Sequence, residues 1–371
     1  MSLRILFDHQ VFSWQQYGGI SRYYYELITR LAAVPGVDIS LFLGLFINRY
    51  GLELHRESFA SFWGQQRPAI PMTNKIFSGI NRLFFPSFLS RSCPDVYHAT
   101  YYASPAVRFK GARIITVHDM IHERFRTLYP WHDQTIRVKK KATGQADGII
   151  CISEATKRDA MELLGIPEDR IAVIYLGSSL EATVSEPPLI TQPYLLYVGQ
   201  RYGYKNFDVL ATAVARSEQI RRNFRLVCFG GGPFTKKEKE RTDAMGIGTA
   251  LQYISGDDAV LANLYRHASV YVCTSVYEGF GLPTLEAMHM GCPVLVGNAG
   301  SLPEVAGPAG CYFDPSESED LKLNLENILQ DAEMQNRMRA LGLERAKLFS
   351  WERCARETLD FYRSRSSHEH H

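Results

Sequence analysis

Two rhythms alternate along the chain. Short apolar runs rich in β-branched and aromatic residues, at 3–8, 37–43, 95–99, 113–118, 148–152 and 171–176, read as buried strands. Between the first two, Ile20, Tyr24, Leu27, Ile28 and Leu31 recur three and four apart, which predicts a helix with Ser21 as the cap at its start. The alternation stops at 177–193, where Pro187-Pro188 and polar neighbours leave no hydrophobic period, so this segment reads as a linker. It resumes at 194–198, 225–229, 251–254, 270–274, 293–296 and 311–313. Strand and helix in alternation predict an α/β chain of two parallel-sheet domains, at 1–180 and 190–348, followed by a helix at 349–365. No residue-level repeat links the halves. Two such domains facing each other leave a cleft, and open parallel sheets bind ligands beyond the carboxyl ends of their strands, so the loops there are expected to carry the chemistry.

Composition narrows the class. Of 371 residues, 46% are hydrophobic and 22% charged, which allows a substantial core in each half and excludes a disordered chain. With 41 Lys and Arg against 39 Asp and Glu the formal charge is +2, too balanced for a protein that neutralises a phosphate polymer, so no nucleic acid partner is expected. The start, MSLRILFDHQ, is too short and too soon charged for a signal peptide, and no run approaches about 18 apolar residues. The protein is expected to be cytoplasmic, neither exported nor membrane-spanning. The 7 cysteines include no CxxC pair and read as reduced, buried thiols. No His and Asp cluster has ligand spacing, so no metal is expected. His368, His370 and His371 close the chain in a tail without hydrophobic period and are excluded from site reasoning.

Candidate chemistry gathers at the predicted strand ends. The segment 275–296, SVYEGFGLPTLEAMHMGCPVLV, follows the strand VYVCT. Pro283 suits a first helical turn and predicts a helix over about 283–290; its open amides form an anion site, and Gly279 and Gly281 let backbone approach a diphosphate or sugar. Glu286, one turn inside, is suited to accept hydrogen bonds from a ribose diol, while Glu278 remains near the sugar. In YLLYVGQRYGYKN, Arg201 and Lys205 leave the first strand of the second half, where a guanidinium fork and a compact ammonium suit one diphosphate. Gly18-Gly19 lies between the first strand and its helix, a place for positive φ and close backbone approach. RIITVHDM ends a strand with His118-Asp119, for which a buried strand-end histidine and a helix cap are the plain alternatives. Ser153 caps the helix that follows IICIS, with Thr156 beyond it. Gly230-Gly231-Gly232 breaks the G-x-G-x-x-G spacing and no P-loop occurs, so dinucleotide and ATP-hydrolase readings fail.

From Glu278 to Glu286 the chain reads E-G-F-G-L-P-T-L-E, and here it resembles the retaining GT-B glycosyltransferases of family 4, whose signature is Glu-x7-Glu in that context. The resemblance continues through ADGIICISEATKRDAMELLGIPEDRIAVIYLG and FSWERCARETLDFYR, with motifs from Gly18 to Tyr362 and a gap at 35–94 where acceptor-specific structure is expected. It implies two Rossmann-like domains and a C-terminal helix that returns to the first through Trp351, Phe361 and Tyr362. It also implies that Glu286 holds the nucleotide ribose, that Glu278 contacts the transferred sugar, and that the amides of Phe280, Gly281, Leu282 and Thr284 serve sugar and phosphate. Arg201 and Lys205 then meet the leaving diphosphate and His118 the 6-hydroxyl of the donor hexose. Gly18 and Gly19 resemble the family's glycine loop, Gly230 borders the base and diphosphate pocket, and Ser153 touches a sugar. The implied activity is hexose transfer with retention, from a nucleotide diphosphate sugar to a glycan or lipid-linked acceptor, with no cofactor beyond that substrate. Members of this fold generally lack the Asp-x-Asp metal motif, which implies metal independence. GGISRYYYELI and VHDMIHERF look most like mannosyltransferase members and favour GDP-mannose over UDP-glucose.

Three rivals stay open: a nucleotide-sugar epimerase of the same fold, a noncatalytic nucleotide-sugar-binding protein, and a glycoside hydrolase using the two glutamates. The last is disfavoured, because hydrolase carboxylates flank the scissile bond across a cleft whereas these share one turn and helix. The segment 75–91, KIFSGINRLFFPSFLSR, interleaves Phe77, Ile80, Leu83, Phe84, Phe85, Phe88 and Leu89 with Lys75, Arg82 and Arg91. Pro86 is expected to interrupt it and exclude one long helix. Packing inside the first domain is one reading. The other is peripheral contact with an anionic bilayer at the inner membrane face, with Arg124, Arg126, Lys139, Lys140 and Lys141 adding charge.

Overall fold

In the computed structural model, which describes residues 2–69, 72–102, 109–180 and 186–366, each predicted apolar run forms a strand and all strand pairing is parallel. The chain up to Leu176, together with the segment from Trp351, forms one unit, and Gly177–Ser350 forms the other. The first unit holds β1 (Leu3–Phe7), β2 (Val37–Phe46), β3 (Ser61–Gln66), β4 (Val96–Ala99), β5 (Ala112–Val117), β6 (Gly148–Cys151) and β7 (Ile171–Val173), in the order β3-β2-β1-β4-β5-β6-β7. The second holds β8 (Tyr194–Val198), β9 (Arg225–Phe229), β10 (Leu251–Ile254), β11 (Val270–Cys273), β12 (Val294–Gly297) and β13 (Gly310–Phe313), in the order β10-β9-β8-β11-β12-β13. In each sheet the first strand stands between the second and a later one, so the winding reverses beside it. That reversal opens a crevice at the carboxyl ends of β1 and β4, and again at those of β8 and β11.

β3 escapes the sequence pattern because SFWGQQ is an edge strand whose residues are half-buried or exposed, so it carries no apolar run. The first helix, α1 (Gly19–Ala32), has Gly18 rather than Ser21 at its cap position. Gln15 Oε1 accepts from the Ser21 amide (2.9 Å), so a side chain from outside the helix caps it and Ser21 turns its hydroxyl back to the Gly18 carbonyl.

The second helix, α2 (Thr73–Ser92), is a larger correction, because it runs unbroken through Pro86. A mid-helix proline loses one backbone bond and crowds the preceding turn, at a cost of about 3 kcal/mol. Tertiary packing offsets that cost. Phe77, Asn81, Phe85 and Leu89 form a buried stripe, and Phe85 and Leu89 pack with Leu6, Phe42 and Tyr97. Asn81 fixes the helix to a register irregularity of β2 at Phe42/Gly44. Its side chain accepts from the Leu45 amide (2.7 Å) and donates to the Leu45 carbonyl (3.0 Å).

The C-terminal helix, Trp351–Ser366, belongs to the first unit. Trp351 and Tyr362 are buried there, the Tyr362 hydroxyl meets His98 Nδ1, and the Phe361 ring lies over Gly148, where a Cβ would stand 2.8 Å from it. Within the second unit, Asn263 donates to the Pro187 carbonyl (3.0 Å) and accepts from the Leu189 amide (3.1 Å). Residues 181–185 of the expected linker, and His368, His370 and His371, lie outside the described residues. All seven cysteines are free, but not all are buried: Cys93 is exposed and Cys311 half-buried. No described helix is long and apolar enough to cross a membrane.

Two leucines six positions apart on α2 test which face holds the helix. Leu89 is fully buried and Leu83 is 77% exposed. Leu89→Ala is expected to cost about 2–5 kcal/mol in urea unfolding, and Leu83→Ala less than about 0.5 kcal/mol. Equal losses would contradict the assigned face.

Candidate functional site

The loops that leave β8 and β11 at the crevice of the second unit are bound to each other. The Val276 amide donates to the Tyr204 carbonyl (2.9 Å) and the Thr274 hydroxyl to the Lys205 carbonyl (2.8 Å). This brings Lys205 Nζ to 2.6 Å from Glu278 Oε1, and the Ser275 hydroxyl donates to the same oxygen at 2.5 Å. Ser301, from the turn after β12, donates its hydroxyl to the Glu278 backbone carbonyl (2.9 Å). Burial disfavours the Lys205 ammonium, but the Glu278 carboxylate, with Tyr204 and Cys273 acting in the same direction, more than offsets it, so the lysine pKa is raised.

The helix after this loop is Leu282–His289, so Leu282 rather than Pro283 is its first residue. Gly281 caps it with φ 91°, and a Cβ there would stand 2.8 Å from Leu302 Cδ2, so backbone conformation and space both require glycine. The Thr284 amide is taken up by the Gly281 carbonyl (2.9 Å), whereas its fully buried hydroxyl has no partner among the described residues. The group that Thr284 has to offer is therefore its hydroxyl rather than the expected amide. Phe280 is buried with its ring edge-on to Phe349. Glu286 is buried and accepts from the Tyr265 hydroxyl (3.3 Å).

Arg201 and Lys205 do not point at one place. Arg201 is buried, with Nε on Glu238 (2.8 Å), its other nitrogens on the carbonyls of Gly230, Gly232 and Pro233, and its guanidinium 4.4 Å above the Phe234 ring. Glu238 is available for this because it also completes a capping box with Thr235, a signal legible as T-K-K-E. Gly231 follows the same loop closely: its φ is 70°, and a Cβ would stand 2.5 Å from the Gly199 carbonyl oxygen. Arg201 thus shapes the turn that contains Gly230.

In the first unit, Gly18 is extended and Gly19 is the first residue of α1, so neither uses the positive φ expected of it. Open space surrounds the place of a Gly19 Cβ. His118 is buried against the rings of Tyr23 (5.3 Å) and Tyr24 (5.9 Å), and its Nε2 has no partner among the described residues. Burial pulls its pKa down to about 4, Asp119 opposing and Lys139 assisting. Asp119 accepts from the Ile121 amide (3.0 Å) in a turn just before a short helix whose cap position is Met120, so it stands one residue ahead of the cap expected of it. Ser153 caps Glu154–Leu164 by accepting from the Thr156 amide (2.9 Å). Lys139, expected to add surface charge, is buried in an ion pair with Glu123 (2.8 Å) and donates to the Asp119 carbonyl; Arg124 pairs with Asp159. Sequence reading missed Asp8, Ser275 and Ser301. Asp8 closes the β1 and β4 exits by accepting from Thr100 and Tyr97. A single Asp or Ser at a strand end has no local pattern to mark it.

Comparison with known proteins gives two family matches, "Glycosyl transferases group 1" over residues 184–345 and "Glycosyltransferase Family 4" over residues 17–182. The chain is 30% identical over 370 residues to O-antigen chain mannosyltransferase B of Escherichia coli, spanning 93% of this chain and 96% of that protein. It is 28% identical over 236 residues to the MMP alpha-(1->4)-mannosyltransferase of Mycolicibacterium hassiacum, across 61% of this chain and 56% of that one. Among solved structures, sucrose-phosphate synthase from Thermosynechococcus elongatus matches with TM-score 0.79 at 21% identity, covering 98% of both chains. HepE of Anabaena, solved with UDP and glucose, matches with TM-score 0.76 at 16% identity over 98% of this chain and 100% of that one. At such identities the structural likeness speaks for the fold alone, two Rossmann-like units of the GT-B class.

His118 also makes a testable contribution to stability. Between its unfolded value of about 6.5 and its folded value of about 4 the unfolded chain binds a proton that the folded chain refuses. Stability is therefore expected to fall as pH drops through that window, by up to about 1.4 kcal/mol per pH unit from this residue. His98, lowered to about 3 by burial and by His118, adds in the same direction. Urea unfolding at pH 7, 6 and 5 should show a shallower slope for His118→Gln than for wild type; identical slopes would refute the assignment.

Proposed function

The chain belongs to the glycosyltransferases of family 4, and we propose that it moves mannose from GDP-mannose to a glycan or lipid-linked sugar with retention at the anomeric carbon. The observation that carries this reading is the Lys205–Glu278 pair at the crevice of the second unit, beside the Gly281-capped helix of E-G-F-G-L-P-T-L-E. Mannose and a glycan acceptor are supported by the likeness to the O-antigen chain mannosyltransferase, over nearly the whole of both chains.

In this reading Glu286 binds the ribose and Glu278 a hydroxyl of the transferred hexose. Lys205, the helix start at Phe280, Gly281 and Leu282, and the Thr284 hydroxyl stabilise the departing diphosphate, and Arg201 acts by holding the Gly230 turn against it. The bond from the anomeric carbon to the phosphate oxygen breaks with its electron pair leaving on the diphosphate. The acceptor oxygen bonds the same face, and its proton passes to the departing phosphate oxygen. The chemistry is electrostatic and positional, needing neither metal nor further cofactor.

The acceptor side is assigned to an anionic lipid surface at the inner membrane face. Along α2, Ile76, Leu83 and Phe84 are exposed, as is Met72 just before it; Lys75, Arg82 and Arg91 flank them, and the helix contains no acidic residue.

With GDP-mannose as donor, Glu286→Ala should weaken donor binding by about 10-fold or more, the worth of a charge-assisted hydrogen bond, while Glu278→Gln should lower kcat by about 10²-fold. Activity should survive EDTA. Equal losses of affinity in both variants by calorimetry, or inactivation by chelator that Mg²⁺ reverses, would overturn the assignment. For the membrane, wild-type protein should sediment with vesicles containing phosphatidylglycerol at low salt and be released at high salt, and Leu83→Ser/Phe84→Ser should not sediment. Phe85 is buried and unsuitable as a probe. Sedimentation of the double variant equal to wild type would remove the membrane from the proposal.

A further inference from the structure

Glu278 is held at more points than any contact with a sugar would require. Its backbone carbonyl accepts from the Ser301 hydroxyl (2.9 Å), and its side chain accepts from Lys205 (2.6 Å) and Ser275 (2.5 Å). Both side-chain donors converge on Oε1, and Oε2 accepts no bond among the described residues. The two oxygens of a carboxylate are chemically equivalent and exchange by rotation about the terminal bond, which is broad and two-fold. An ammonium with three rotating donors follows either oxygen. Ser275 is different. It is 2% exposed, sits two residues beyond the end of β11, and receives the Cys273 thiol on its own oxygen (3.7 Å), so its hydroxyl hydrogen has one direction to take.

We propose that Ser275 is a positioning residue that acts through Glu278, fixing Oε1 inward beside Lys205 and presenting Oε2 alone to a hydroxyl of the transferred hexose. This rests on the reading of Glu278 as the sugar-facing carboxylate. A carboxylate free to turn would share itself between Lys205 and the sugar. One oxygen held in advance keeps Lys205 neutralised on one side and leaves a single acceptor aimed before the donor arrives. Ser301 serves the same end by preventing the backbone of Glu278 from following the lysine.

The test uses the whole enzyme with GDP-mannose, and GDP as a probe that lacks the hexose. Ser275→Ala is expected to lower kcat by about 10-fold, the loss of one hydrogen bond to a charged group, with the donor KM within about 3-fold. GDP affinity by calorimetry and the melting temperature should stay at wild-type values. Ser275→Thr, which keeps the hydroxyl, should recover most of the rate. In a Glu278→Gln background, adding Ser275→Ala should have no further effect, because the serine acts through that carboxylate. The proposal is overturned if Ser275→Ala keeps wild-type kcat, if its loss tracks lowered GDP affinity or melting temperature, or if the two substitutions multiply. The reading beneath it fails differently: wild-type protein would then neither transfer mannose nor bind GDP-mannose differently from GDP, and the assignment of Ser275 would fall with it.

Discussion

An ion pair held largely out of water organises the second unit. Lys205 and Glu278 retain 17% and 12% side-chain exposure, too little for water to solvate either charge well, so each depends on the other. They come from the loops after β8 and β11, the two strands between which the winding of the sheet reverses. A pair placed there closes the two loops over the crevice and leaves a concentrated, oriented charge where an open parallel sheet presents its ligand site. The rest of the local structure serves this arrangement. The Thr274 hydroxyl and the Val276 amide tie the loops through backbone carbonyls, Ser275 and Ser301 fix the carboxylate, and Gly281 lets the chain turn into a helix without moving Leu302.

The first unit solves a related problem with neutral groups. At the end of β1, Asp8 accepts from the Thr100 amide and hydroxyl and from Tyr97, so a buried carboxylate is satisfied by hydrogen bonds alone. Deeper in, His98 bridges Thr116 (2.9 Å) and the Tyr24 hydroxyl (3.3 Å) and meets Tyr362 of the C-terminal helix. Burial holds this imidazole neutral, as it does His118. A neutral ring can both donate and accept, which lets one residue join β4, β5, α1 and a helix more than 260 residues away in sequence. The price of such a lock is acid sensitivity, since protonating either ring inside an apolar packing is unfavourable.

α2 illustrates how packing overrides propensity. Pro86 removes a backbone bond, yet the helix continues because the stripe through Phe77, Asn81, Phe85 and Leu89 gains more against β1, β2 and β4 than the proline loses. With that stripe turned inward, Ile76, Leu83 and Phe84 are left outside, with exposed Lys75, Arg82 and Arg91 on the same helix. A helix amphipathic on its inner side thereby acquires a second apolar ridge on its outer side.

What the chain determines by itself is its periodicity and its densest motif. Twelve strands at their places, the helix after β1, the parallel α/β class and the run from Glu278 to Glu286 are all legible, because buried strands and glycine-proline turns leave local signatures. The edge strand β3 and the cap of α1 are not, since a half-exposed strand has no apolar run and Gln15 caps from outside the helix. Proximity is likewise decided only in three dimensions. Arg201 and Lys205 stand four residues apart and share a charge, but Arg201 turns to Glu238 and the Gly230 turn while Lys205 turns to Glu278. Lys139 lies in a basic run and is nonetheless buried against Glu123. Which carboxylate each cation meets depends on where separate strands end in the folded sheet, and no spacing along the chain encodes that.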